Sequence, residues 1–317
     1  MKLAQTFKFV ADALRGPKAV LREALRCDDW ETATRILQKH DGAMGWEYKT
    51  DYGLEKPLHL AASSGAFQIL SIMLHPQSKP YPVDTRDNAG RTALMNAMLY
   101  GHETVAKLLL ARGADIHASD GGRSVLCCAI SSAHLPMVEL ALAKGANLNE
   151  PDLAKQAPLE TAASGSSTLN ILKFLLDKGA DPNGRHGGLA TLLSCLSQPN
   201  PDGVRMLLNN GTTIDLSDTE RCTQLLNWSV WAKQPGITTM LLERGLDPLL
   251  TDKDGKSAHE LARLDTATLA LIDAHLARKE TERKARVIEE EIGKMNAGLS
   301  DAVTVKTLKL RRPNMSA

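Results

Sequence analysis

With 317 residues, 43% of them hydrophobic and 24% charged, the chain has the make-up of an ordered protein, and wholesale disorder is excluded. A formal net charge of +1 leaves no global field to draw it to nucleic acid or to an anionic membrane. Cys27, Cys127, Cys128, Cys195 and Cys222 are odd in number and contain no CxxC pair, so they indicate neither a disulfide ladder nor a zinc site and read as reduced core residues.

Aromatic residues are only 4%, so the core must be built from Leu, Ala, Ile, Val and Met, which close-packed helices favour. In chain order, Met1 to Arg15 comes first. It places Leu3, Phe7, Val10 and Leu14 on one helical face, read as packing against the end of a helical stack, with membrane or partner docking as the second reading. Lys8 and Asp12 interrupt this segment before a signal-peptide core forms, and no apolar run is long enough to span a bilayer. From Lys18 to His40 a two-helix rhythm follows, with Leu21 and Leu25 in one helix and Trp30, Ile36 and Leu37 in the next.

The segment Pro57-Leu58-His59-Leu60-Ala61-Ala62, closed by Gly65, then returns in altered form down the chain. Its echoes place Leu94, Leu126, Leu159, Leu192, Leu225 and His259 at the position of Leu58, in steps of 36, 32, 33, 33, 33 and 34 residues. A second series runs in phase: Gly113-Ala114-Asp115, Gly145-Ala146-Asn147, Gly179-Ala180-Asp181, Gly211-Thr212-Thr213 and Gly245-Leu246-Asp247. A Thr or Ser followed by Pro starts a helix by capping its free amides, small alanines let helices approach, and a final Gly takes the left-handed conformation that stops the second helix. Each unit therefore reads as helix, tight turn, helix, loop.

On these residues the chain resembles the ankyrin repeat family from about Asp51 to Ala262, most closely at the turns Asp87 to Thr92 and Asp252 to Ser257. The resemblance implies an all-α ankyrin-repeat solenoid of helix-turn-helix units with hairpin loops, ending in a long C-terminal helix. The organisation reads as N-terminal helices and a degenerate capping repeat at 1–50, repeats at 51–262, a C-terminal helix at 263–296, and a flexible basic tail at 297–317. The unit from Arg185 to Ser217 departs from the pattern. It lacks the opening Asp, and Gln198 to Asp202 supplies a proline-rich stretch, so a short first helix and a widened turn are expected. The charged helix is expected from Thr266 to about Lys294, with Glu289 to Glu291 as a solvated face, before a basic stretch from Val303.

No set of residues converges as an enzyme's would. His59 stands where the family places a histidine that bonds a backbone turn, and Cys127-Cys128 lies in an inner helix whose adjacent residues point apart. Gly121-Gly122 and Gly187-Gly188 lack the Lys-Ser of a phosphate loop. No catalytic residue, metal or cofactor is expected, and the partner is a protein, with no nucleic acid, membrane span or small-molecule substrate. By position in the repeat, the family's binding sites fall at hairpin tips (Tyr52, Asn88, Arg91, His186, Glu220, Lys253) and at inner-helix ends (Leu99, Tyr100, Ser132, Gln198, Val230, Trp231). Arg91, Tyr100 and Trp231 are the expected anchors, while Trp228 stands where other units have a small alanine and is expected as buried packing. A cytoplasmic scaffold is the first functional reading. The second is a bacterial effector that binds a host protein, exported without a Sec signal on information in its C-terminal tail; a minor enzymatic or nucleic-acid role for the C-terminal segment ranks last.

Overall fold

A hydroxyl just ahead of a helix accepts from amides that have no intrahelical partner, and this chain opens several of its helices that way. The computed structural model describes residues 16–27, 29–40, 48–50, 53–75, 81–149, 157–184, 187–196 and 200–310. In it Thr92 accepts from the Met95 amide at 3.3 Å and Ser124 from the Cys127 amide at 3.2 Å. Ser257 and Glu260 cap each other's backbone reciprocally, each at 3.2 Å. Where the hydroxyl is missing, Pro57 and Pro158 take the first helical position, where no amide is needed.

The chain divides into two compact units, Met1–Ser217 and Asp218–Ala317. In the first, α1 (16–27) and α2 (Trp30–Lys39) are followed by a hairpin of β1 (Tyr48–Thr50) and β2 (Gly53–Glu55), with Tyr48 opposite Glu55. Inner helices α3 (Pro57–Ser64), α5 (Ala93–Leu99), α7 (Val125–Ser131), α9 (Pro158–Ala163) and α11 (Gly188–Ser194) then stack in sequence. Each pairs with an outer helix: α4 (Phe67–Met73), α6 (Glu103–Ala111), α8 (Leu135–Ala143), α10 (Leu169–Asp177) and α12 (Pro201–Asn209). The second unit holds α13 (Thr219–Trp231), α14 (Pro235–Glu243), α15 (Ala258–Ala262) and α16 (Thr266–Leu310).

The recurring leucines Leu58, Leu94, Leu126, Leu159 and Leu192 are all buried, and Ala61, Ala97, Ala129 and Ala162 lie fully buried between the inner helices. Burying one such leucine stabilises by about 1.5–3 kcal/mol, so the ladder of five is a substantial apolar support of the inner layer. Polar bonds tie one repeat to the next. His59 donates from Nε2 to the Arg91 carbonyl at 2.9 Å, and His102 donates from Nε2 to the Ser63 carbonyl at 2.9 Å. At the loops, Asp84 accepts from the Asp115 amide at 3.0 Å, Asn149 from the Asp181 amide at 3.0 Å, and Asn183 from the Thr213 amide at 2.7 Å. Gly65, at φ +74°, lies under His102, whose Nδ1 would stand 2.7 Å from an added Cβ. The backbone turn and the close approach both require glycine there.

Several expectations are revised. The first helix of the unit from Arg185 is not short, since α11 has 7 residues, as do α5 and α7. Its proline-rich turn falls partly at 197–199, outside the described residues, as does the Met1 to Arg15 segment. Cys27 is exposed, whereas the other four cysteines are buried. The last helix does not stop near Lys294 but continues to Leu310. Asn296 and Gly298 are helix-stop residues by propensity, yet the helix runs through both, and no proline follows Lys294 until Pro313.

Candidate partner-binding surface

The turn that opens the α5 repeat is organised by one carboxylate. Asp87 Oδ1 accepts from the amides of Ala89 at 2.9 Å and Arg91 at 2.8 Å, and the Asp87 amide donates back to the Arg91 carbonyl at 3.0 Å. Asp120 repeats the device with Gly122 and Arg123, and Asp252 with Asp254 and Lys256. The turn carries Asn88 outward, exposed as expected. It turns Arg91 inward: the residue is 3% exposed and its Nε donates to Asp87 Oδ2 at 3.3 Å. Arg91, expected as a binding anchor at the tip, is thus part of the turn's internal support, because the same Asp that bends the backbone also attracts the guanidinium.

At the inner-helix ends, Leu99 and Tyr100 are half-buried and close α5, and Ser132 closes α7 with its hydroxyl donating to the Ala129 carbonyl at 2.7 Å. Tyr52, His186 and Gln198 lie outside the described residues.

The largest departure is α13. Asp218 caps it through the Arg221 amide at 3.1 Å, so residues expected to form a hairpin tip are wound into a helix of 13 residues. Glu220 therefore sits on the first helical turn, where it pairs with Lys253 at 2.7 Å. The pair joins two residues expected as separate tips, and Glu220 holds the Lys253 ammonium above its ordinary pKa through that hydrogen bond. Cys222, Thr223, Leu226, Ser229 and Val230 are buried on one face of α13, which packs on α14 and α15. Val230, expected at the surface, belongs to that face. Successive residues on a helix turn by about 100°, so its neighbour Trp231 points away and is 70% exposed.

Trp231 is not alone on its face. Arg221, Gln224, Trp228 and Trp231 recur at helical spacing, and the first two are exposed. Trp228, expected as buried packing, is only half-buried, and its indole Nε1 is enclosed with no hydrogen-bond partner. The clue was available in the sequence, since Trp228 and Trp231 are three residues apart, but alignment to the alanine of other repeats concealed it. Elsewhere in the second unit, α14 and α16 flank a cleft of about 250 Å³ over Leu242, Leu271 and His275.

Burial pushes the thiols of Cys128 and Cys195 up to about 12, which favours the protonated form over the reactive thiolate. Among the described residues no group of three or more His, Cys, Asp or Glu is placed to hold a metal ion, and no helix is long and apolar enough to cross a membrane.

The family described as "Ankyrin repeats (3 copies)" matches residues 21–120 and 117–186. The chain belongs to the ankyrin repeat family. It is 33% identical over 100 residues to the probable E3 ubiquitin-protein ligase XBOS32 of Oryza sativa subsp. japonica, across 32% of this chain and 19% of that one. It is 30% identical over 218 residues to the ankyrin repeat domain-containing protein SAT10 of Stachybotrys chartarum, across 67% of this chain and 9% of that one. The crystal structure of the human ASB11 ankyrin repeat domain superposes with a TM-score of 0.56 at 21% identity, covering 70% of this chain and 98% of that domain. That likeness speaks for the fold alone. The ankyrin chain spans only 9% to 19% of the length of these two curated relatives. Its repeats make it a protein–protein interaction module.

Proposed function

We propose that this chain is a protein-binding scaffold whose partner is anchored on the exposed face of α13, with Trp231 at its centre and Trp228, Gln224 and Arg221 beside it. The observation that carries the reading is the exposure of Trp231, 70% open at the end of an inner helix. An indole left in water forfeits apolar burial that a partner would restore, and Trp and Arg dominate the few interface positions that carry most binding energy. Asn88, Leu99, Tyr100 and Ser132 are accessible or half-accessible and are candidate contacts of the first unit taken by itself. Arg91 and Val230 are left out because both are buried.

The ligase names of some relatives belong to much longer proteins, so the activity is not carried over; what this chain shares with them is a set of repeats. The test is affinity capture from the native cell with wild-type chain, Trp231→Ala and Asn210→Ala run in parallel and quantified by mass spectrometry. A partner is one retained by Asn210→Ala and lost, at least tenfold, with Trp231→Ala at unchanged stability. If no protein discriminates the two variants, the face of α13 is not the binding surface.

A further inference from the structure

The last helix has two parts with different surroundings. In its stem, Thr268, Ile272 and His275 are buried, and the helix packs on α14 and α15. From Ala277 to Ile292 every residue is exposed, so nothing in the unit covers this part of the helix. The exposed stretch is nevertheless not uniformly polar. Ile288 is 56% exposed, Ile292 52% and Met295 68%. They are spaced four and three residues apart, and the same alternation extends back through Ala285 to Thr281 and forward in the sequence to Leu299. That is the a and d pattern of a coiled-coil seam, with Ala285, Ile292 and Leu299 at a and Thr281, Ile288 and Met295 at d.

We propose that this seam is closed by a second copy of the same chain, giving a parallel, in-register two-stranded coiled coil over about Thr281 to Leu299. The flanking charges select this occupant and this orientation. Lys284 falls at g and Glu289 at the following e, so a parallel pair sets each Lys284 against Glu289 of the second copy on both sides of the seam. An antiparallel pair centred between Ile288 and Ile292 would instead oppose Glu289 to Glu289 and Glu291 to Glu291. Within one copy, Lys284 reaches Glu280 at 3.4 Å and Arg278 reaches Glu282 at 3.7 Å, both pairs exposed. These support the single helix weakly and leave Lys284 free to share with a facing carboxylate. A seam of about three heptads makes a modest, concentration-dependent dimer, and it would present two repeat arrays to a partner, raising avidity without a new contact.

The full-length chain should therefore shift from monomer to dimer mass in sedimentation velocity between about 1 µM and about 200 µM. Ile288→Asp with Ile292→Asp, at positions exposed in the single chain, should keep helical content and remain monomeric throughout. Lys284→Glu alone and Glu289→Lys alone should each weaken self-association by about fivefold, and an equimolar mixture of the two should recover it, as only facing unlike charges allow. A wild-type chain that stays monomeric at the highest concentration, or a double Asp variant that still dimerises, overturns the proposal. So does a monomeric chain that binds phosphatidylserine vesicles through Ile288 and Ile292, which would make the stripe a membrane face. Equal self-association by the separate and mixed charge variants overturns the parallel register.

Discussion

Arg91→Ala distinguishes a residue that builds the fold from one that binds a partner. The Arg91 side chain is 4% exposed and that of Asp87 1%, with Nε and Oδ2 at 3.3 Å. Breaking such a buried pair from one side costs about 3–5 kcal/mol, mostly because a charge is left without its partner. Here the stranded carboxylate keeps two donors, since the amides of Ala89 and residue 91 still reach Oδ1. The cost should therefore fall at the lower end, about 3 kcal/mol. Urea denaturation followed by circular dichroism reads it directly: with a slope of about 3 kcal/mol per molar, the midpoint of the first unit should fall by about 1 M. Arg91→Met combined with Asp87→Asn removes both charges while keeping the Oδ1 acceptor, and should recover at least half of the loss. A loss below about 0.5 kcal/mol for Arg91→Ala would refute the reasoning, because it is the effect of an ordinary surface substitution.

Trp231→Ala should change stability by less than about 0.5 kcal/mol, whereas half-buried Trp228→Ala should cost about 2 kcal/mol, part of the 3–5 kcal/mol of a fully buried tryptophan; urea midpoints check both. Ala133 and Lys233 hold left-handed φ of 59° and 52° after α7 and α13, where α3 and α5 are followed by Gly65 and Gly101. Ala133→Gly and Lys233→Gly should each stabilise by about 0.5–1 kcal/mol, since relief of that conformation exceeds glycine's entropy cost. His59 is held below its ordinary pKa, chiefly by burial and against the opposing pull of Asp87. Its contribution is full above the unfolded value of about 6.5 and is lost as pH falls through the lower folded value, so stability should drop between pH 7.5 and pH 5, and less so in His59→Gln.

What the sequence made legible was the part of each repeat that the backbone dictates. Thr92, Ser124 and Ser257 cap because a hydroxyl at that position has only one economical use, and His59 bonds the next turn because its place in the motif points there. Where the reading failed, it failed by a rotation or by a local competition. Val230 and Trp231 are adjacent, yet 100° on a helix separates core from solvent, and a register carried over by alignment does not resolve that angle. At α13 the family pattern called for a hairpin, but Asp218-Thr219-Glu220 is itself a helix start, with an N-cap and an acidic first turn, and the local signal prevailed. The hairpin of β1 and β2 had no period to reveal it, being too short for alternation to register.

The division between residues that hold and residues that bind follows from how a repeat array is stabilised. Each unit gains stability chiefly from its neighbours, so polar side chains able to reach the next unit are recruited for that purpose. Asn227 shows this clearly: outside the motif, it still donates to Asp252 at 2.9 Å and to the Lys256 carbonyl at 3.1 Å, binding α13 to the following turn as His59 binds α3. Arg91 is instead drawn into its own turn by Asp87, although its position in the motif is nominally a tip. What remains for a partner are side chains whose direction takes them past the neighbour, such as Asn88, one residue beyond the buried Asp87, and Trp231, one beyond the buried Val230. The proposed binding positions are therefore those whose side chains point away from the packed layer, and a substitution at an inward position should register as lost stability before it registers as lost affinity.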